Sequence, residues 1–228
     1  MMKSKIVTGL VLTVLPLTLA TVGTASVSAD STHATTFKVA DKTSTKMTGA
    51  IVGSYNSKDK KVVGATQPGK KVTFKATMAK GDSTYLHFAF MHAASAAKGW
   101  YFAPTSEDGI KLTKADFKNG ATKDITNEIG LFAAPDASTV KSVTADDGTL
   151  KYEKTSMFLK ATVKESNGKY VVTIQNKSKD DYKTPFSSGV WGTQAKGEKA
   201  FDHTPSNALS ELATMGHRDD LLKAAETK

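Results

Sequence analysis

Apolar and polar residues alternate along much of this chain with the period of two that marks a strand buried on one face. Residues 70–79 show it most clearly. Val72, Phe74, Ala76 and Met78 fall on one side, and Lys71, Thr73, Lys75 and Thr77 on the other. Residues 83–95 break the alternation: Tyr85, Leu86, Phe88, Phe90 and Met91 make a nearly continuous apolar run. A central strand covered on both faces explains such a run. Further strands are predicted at 36–40, 46–56, 61–65, 124–132, 156–166 and 169–176. Asn167-Gly168 between the last two is a strong hairpin signal, and Gln67-Pro68-Gly69 has the chemistry of a turn. Only the C-terminal region carries a helical pattern. Thr204 is placed to cap, Pro205 suits a first helical position, and Leu209, Leu212 and Ala213 share a face. Gly216 ends that helix, and a second short one runs from Asp219 through Leu222 and Ala225. Many short strands, turns between them and one or two short C-terminal helices predict an all-β fold, an antiparallel β-sandwich.

The first 29 residues do not belong to that pattern. Lys3 and Lys5 precede an apolar run to about Ala20, and a polar stretch ends in Val27-Ser28-Ala29. This is the form of a secretory signal peptide cleaved after Ala29. Residues 30–46, rich in Thr, Ser and Lys, read as a flexible leader, and residues 47–228 as one domain. No later apolar stretch is long enough for an integral membrane segment, so the expected product is secreted and extracellular, or held at the cell surface by non-covalent contacts. The chain has no cysteine, which excludes disulfides and thiol catalysis and fits secreted proteins of Gram-positive bacteria. Its net charge of +9 becomes about +7 when Lys3 and Lys5 are lost. That charge draws a protein toward anionic polymers. The lysines are nevertheless dispersed, with only Lys60-Lys61 and Lys70-Lys71 adjacent, which reads as a soluble basic surface. No nucleic-acid motif accompanies them.

Two stretches carry a family resemblance. Residues 90–112, with Trp100-Tyr101-Phe102-Ala103-Pro104 and then Gly109-Ile110-Lys111-Leu112, and residues 120–137, with Asp124-Ile125-Thr126, resemble the second half of a bacterial spondin domain. Val172-Thr173-Ile174-Gln175-Asn176, the segment from Pro185 to Trp191 and the stretch from Phe201 to Ala213 resemble that family's first half. The order is reversed, so the resemblance implies a circular permutation with halves 47–145 and 155–228; two incomplete tandem repeats are the alternative. Permutation is physically reasonable because domain termini often lie close together. The resemblance further implies a β-sandwich of spondin or C2-like architecture, which serves adhesion and matrix association outside the cell and in which calcium binding occurs.

Calcium needs several hard oxygens converging from loops. The candidates are Asp108, Asp124, Asp136 and Asp202, beside Glu107 and Glu128. Where the family has Trp-Asp-Ala-Gly, this chain has Phe132-Ala133-Ala134-Pro135, with the acid at Asp136. His87 and His92 stand five apart on one strand and so point to opposite faces. His92 and His203 are positioned to meet if the two halves pack together. Trp100, Tyr101 and Trp191 could stack on a sugar or peptide ligand, and the favoured reading is that most of them are core residues of the sandwich. No hydrolase elbow and no zinc-protease signature is present. The leading expectation is therefore a secreted, non-catalytic binding or adhesion module on a cell-wall or matrix polymer. The alternative is a secreted hydrolase or metal-dependent enzyme with its site between the two aromatic segments.

Overall fold

The computed structural model describes residues 51–55, as backbone, and residues 65–226. The predicted signal peptide, the predicted leader with its strand at 36–40, and most of the strand predicted at 61–65 lie outside the described residues. Eleven strands follow in order: β1 (Ile51–Tyr55), β2 (Lys71–Thr77), β3 (Ser83–His92), β4 (Trp100–Pro104), β5 (Ile110–Thr113), β6 (Thr122–Asp124), β7 (Ile129–Ala133), β8 (Lys141–Ser142), β9 (Leu159–Ser166), β10 (Lys169–Asn176) and β11 (Phe186–Gln194). Three short helices accompany them: α1 (Thr155–Phe158), α2 (Asn207–Met215) and α3 (Asp219–Ala225). The fold is β-rich, and every strand pairing is antiparallel.

Two sheets divide the strands. One runs β1-β11-β3-β4-β7-β8, with β5 pairing the first half of β3. The other runs β2-β10-β9-β6. Strand β11, from the end of the chain, lies between β1 and β3, opposing Gly53 and Phe88 with Trp191.

A common core joins the sheets. Leu86, Phe88, Phe90, Phe102 and Leu131 meet Phe74, Val163, Tyr170, Val172 and Ile174. Rings stack at its centre, Phe90 on Phe102 at 5.2 Å and Phe102 against Phe186 at 5.1 Å. Each such side chain removed from water contributes about 1.5–3 kcal/mol. The opposite face of the larger sheet is covered as well: Ala89, Tyr101, Phe132 and Val190 pack against Phe201, Leu209, Leu212, Leu221 and Ala225. This double cover is why β3 reads as unbroken apolar sequence.

Local chemistry explains most boundaries. Asn167 and Gly168 both take positive φ (52° and 70°) and join β9 to β10 with Ser166 opposite Lys169, the tight hairpin that their sequence predicts. Lys70 N donates to Gln67 O at 2.9 Å, closing the Pro68-Gly69 turn.

Three expectations need correction. The strand predicted at 124–132 is two strands in different sheets. Asp124 Oδ1 accepts from Thr126 N, while Ile125 N donates to Ala161 O, and this turn carries the chain from β6 across to β7. Residues 156–158 belong to the helical turn α1 rather than to a strand. The cap of α2 is Ser206, whose Oγ accepts from Leu209 N. Thr204 instead donates its hydroxyl to Ala200 O within a preceding turn. Gly216 ends α2 in the left-handed region, as its sequence predicts.

Candidate functional site

The C-terminal segment brings a polar cluster onto the helix-covered face of the larger sheet. His87, an odd-numbered residue of β3, points to that face, and the turn before α2 delivers Asp202 to meet it. His87 Nδ1 lies 3.0 Å from both Asp202 oxygens, and both side chains are fully buried. Gln194 Nε2 is 3.2 Å from His87 Nε2 and donates to Glu198 O at 2.8 Å. This pattern assigns the ring proton to Nδ1, donated to Asp202, and leaves Nε2 as the acceptor from Gln194. The Tyr101 hydroxyl donates to the Asp202 carbonyl at 2.8 Å. Burial, reinforced by the Asp202 charge, pushes the Tyr101 phenol well above its ordinary pKa, so it remains a donor. His203 Nε2 donates to Pro104 O at 2.8 Å and sets its ring edge-on against Phe132.

A His–Asp pair is half of a nucleophilic apparatus, but the other half requires a hydroxyl or thiol on the free ring nitrogen. Here Nε2 meets an amide and a packed backbone. The arrangement fastens residues 200–204 to the sheet, and among the described residues the hydrogen-bond partner of Nε2 is the Gln194 amide rather than a hydroxyl. Gly109 shows how tight the packing is. It holds φ +83°, and a Cβ there would stand 2.6 Å from His87 Nε2. We expect Gly109→Ala to destabilise the fold by about 2 kcal/mol or more in urea unfolding, from combined backbone strain and overlap with the ring. An unchanged unfolding midpoint would contradict this packing.

His87 and His92 do face opposite ways. His92 enters the core between the sheets, 5.2 Å from the Phe158 ring and 5.5 Å from Trp100, with Nδ1 3.3 Å from Thr184 Oγ1. Its Nε2 is buried without a hydrogen-bond partner among the described residues. Desolvation lowers its pKa to about 4, against a smaller backbone hydrogen-bonding effect that raises it. His92 and His203 therefore lie on opposite faces of the larger sheet, and the predicted meeting of the two does not occur.

The four candidate calcium ligands are scattered. Asp108 sits in the exposed turn before β5, and Asp202 is engaged with His87. Asp124 accepts from Thr126 N, and Asp136 from Ser138 and Thr139. Those hydrogen bonds, from Thr126 in one case and chiefly from Ser138 in the other, hold both carboxyls below their ordinary pKa. Among the described residues, no three His, Asp or Glu side chains converge as metal ligands. The aromatic candidates are core residues: Trp100, Tyr101, Trp191, His92 and His203 are all buried. Trp191 stacks on Phe74 rather than lining a groove. Trp100 borders a depression of about 420 Å³ beside Lys98, Lys141 and Asp147.

The outer face of the four-stranded sheet is different, because its chemistry is exposed. Strand β2 presents Lys71, Thr73 and Lys75, β9 presents Lys160, Thr162 and Lys164, and β10 between them presents Lys169, Val171, Thr173 and Gln175. Register aligns these into cross-strand rows. Gln175 opposes both Lys71 and Lys160, Thr173 opposes Thr73 and Thr162, and Val171 opposes Lys75 and Lys164. All five lysines are exposed, and among the described residues none has a carboxylate within 4.0 Å. The acid on this face is Asp124, at its β6 edge, whose carboxyl feels Lys160. The dispersed lysines of the sequence are thus gathered by strand pairing. Positions 71, 75, 160 and 164 share one parity within their strands, which was the available signal; the pairing that unites them was not legible.

The fold and these two sites define a β-rich protein with a sealed polar latch on one side and an open basic sheet face on the other. No family model matches the chain, and neither the curated proteins nor the solved structures contain a match to it.

Proposed function

We propose that this chain is a secreted, non-catalytic binding module that associates outside the cell with a cell-wall or matrix polymer. The observation that carries the reading is the open face of the four-stranded sheet, where strand register gathers five exposed lysines, none with a carboxylate within 4.0 Å among the described residues and with Asp124 at the edge. Open and positively charged, such a surface suits attachment to an extended anionic partner. The buried polar groups point the same way, since His87, Asp202 and Gln194 satisfy one another. The fold belongs, in this reading, to the β-sandwich class of spondin-like domains with its halves in permuted order. In support, β11 pairs between β1 and β3, and α3 packs beside β1.

The test is co-sedimentation of the full chain with isolated Gram-positive cell walls and with extracellular matrix. A salt series is run with and without a calcium chelator. Binding is expected at low salt, lost as salt shortens the Debye length, and indifferent to chelation. Absence of binding to both materials overturns the reading. Binding abolished by the chelator replaces electrostatic attachment with a calcium-bridged one.

A further inference from the structure

We infer that the lysine-bearing face of the four-stranded sheet is a docking site for a flexible linear polymer of phosphate groups. The inference rests on the binding-module reading and names the chemistry of its partner. Neighbouring strands stand about 4.8 Å apart, so Lys71 and Lys160, flanking β10, are about 10 Å apart, as are Lys75 and Lys164. Along each strand the two lysines of a pair are about 13 Å apart. Lys169, two residues beyond the second row on the central strand, completes the array about 8 Å from Lys75 and from Lys164. The separations of about 8 Å match one Debye length at physiological salt, whereas those of about 10 and 13 Å exceed it. The five fields therefore overlap into one positive surface at low salt, where the Debye length grows to about 30 Å, and each ammonium stays free to take its own anion.

The residues between the lysines refine the partner. Thr73 and Thr173, whose hydroxyl oxygens lie 3.1 Å apart, occupy the middle row with Thr162, and Gln175 stands between Lys71 and Lys160. Hydroxyl and amide donors beside ammonium groups suit phosphate, whose oxygens are strong acceptors. Lysine rather than arginine supplies every charge, since the chain's one arginine is Arg218. Lysine engages phosphate as a point charge without fixed planar geometry, which suits a flexible repeating chain. Among the described residues of these strands, no aromatic side chain lies on this face to stack a base and Val171 is the one apolar side chain, so base stacking and bilayer insertion both lack an anchor there.

The full chain is titrated with long-chain inorganic polyphosphate from low to moderate salt. A face variant, K75Q/K160Q/K164Q/K169Q, is compared with a charge-matched control, K141Q/K154Q/K196Q/K223Q, drawn from exposed positions on other elements. The face variant is expected to lose roughly fivefold per lysine, several hundredfold in all at low salt. Its salt dependence should flatten by about 0.7 in log–log slope per lost contact. The control is expected to lose far less. Melting curves of both variants check the fold, and Lys164→Gln alone gives the same reading at about fivefold. Equal losses in face variant and control overturn the docking site, as does polyphosphate binding that the face variant leaves intact. Tighter face-dependent binding of dextran sulfate overturns the phosphate assignment in favour of a sulfated glycan. Face-dependent binding to phosphatidylglycerol vesicles without polyphosphate binding overturns it in favour of a membrane. Loss of wall and matrix binding with polyphosphate binding retained removes the wall or matrix reading and leaves this site standing.

Discussion

Asp202→Ala is expected to cost about 3–5 kcal/mol of stability, read as a lowered midpoint in urea unfolding with little change in slope. The carboxylate it removes is fully buried and accepts from His87 Nδ1 with both oxygens at 3.0 Å. Without it, a buried ring N–H has no acceptor, and an unmade buried hydrogen bond costs more than a made one contributes. The turn carrying Asp202 is also the point where Tyr101 and His203 hold the C-terminal segment to β4. A local loss there loosens the cover over Phe132 and Val190. Combining Asp202→Ala with His87→Leu separates the pair from the site, because the second change removes the stranded donor. The double variant is expected to be more stable than the sum of the two single losses. Simple additivity would mean that the pair does not act as a latch.

The second large effect concerns acid. His92 has a folded-state pKa of about 4, against an ordinary value of 6.5, because its ring is desolvated among Trp100, Phe102 and Phe158. The unfolded chain therefore binds this proton more readily than the folded one. Stability is complete above about pH 6.5 and falls as pH drops toward 4, by about 3 kcal/mol in total. The carboxyls of Asp124, Asp136 and Asp147 act in a separate window. Their pKa values are lowered by hydrogen bonds, from Thr126, from Ser138 and from the Leu150 and Thr149 backbone respectively. Their contribution is present above their unfolded pKa and is lost only as pH falls below about 4. His92→Phe keeps an aromatic ring in the cluster and is expected to abolish the loss between pH 6.5 and 4 while leaving the steeper loss below it. If wild type and variant follow the same curve across that range, His92 is not the group responsible.

How far the chain could be read from its sequence follows from the range of each signal. The β9–β10 hairpin was legible because Asn167-Gly168 and two alternating runs lie within twenty residues. The burial of β3 was legible because a strand covered on both faces cannot hide its composition. The break between β6 and β7 was not, since the apolar pattern continues through Ile125 while the direction change depends on Asp124 and Thr126 meeting Ala161. The aromatic segments admitted both a groove and, the favoured reading, a core; burial made them core, a distinction that residue type alone does not carry. His87 and Asp202 are 115 residues apart, and nothing local in either predicts the other. The lysine face lay between these extremes: each strand's parity was readable, but the order β2-β10-β9 came only from the structure.

The position of β11 has a consequence for how the molecule is made. It is the last strand among the described residues, yet it joins β1 to β3 in the middle of a sheet. Until residues 186–194 emerge, those two strands present open hydrogen-bonding edges that have nothing to pair with in that sheet. Pairs such as Phe88 with Trp191 close loops of about a hundred residues, and loops of that length make for slow, late folding. A chain cut short before Phe186 would retain two sticky edges and be prone to aggregate.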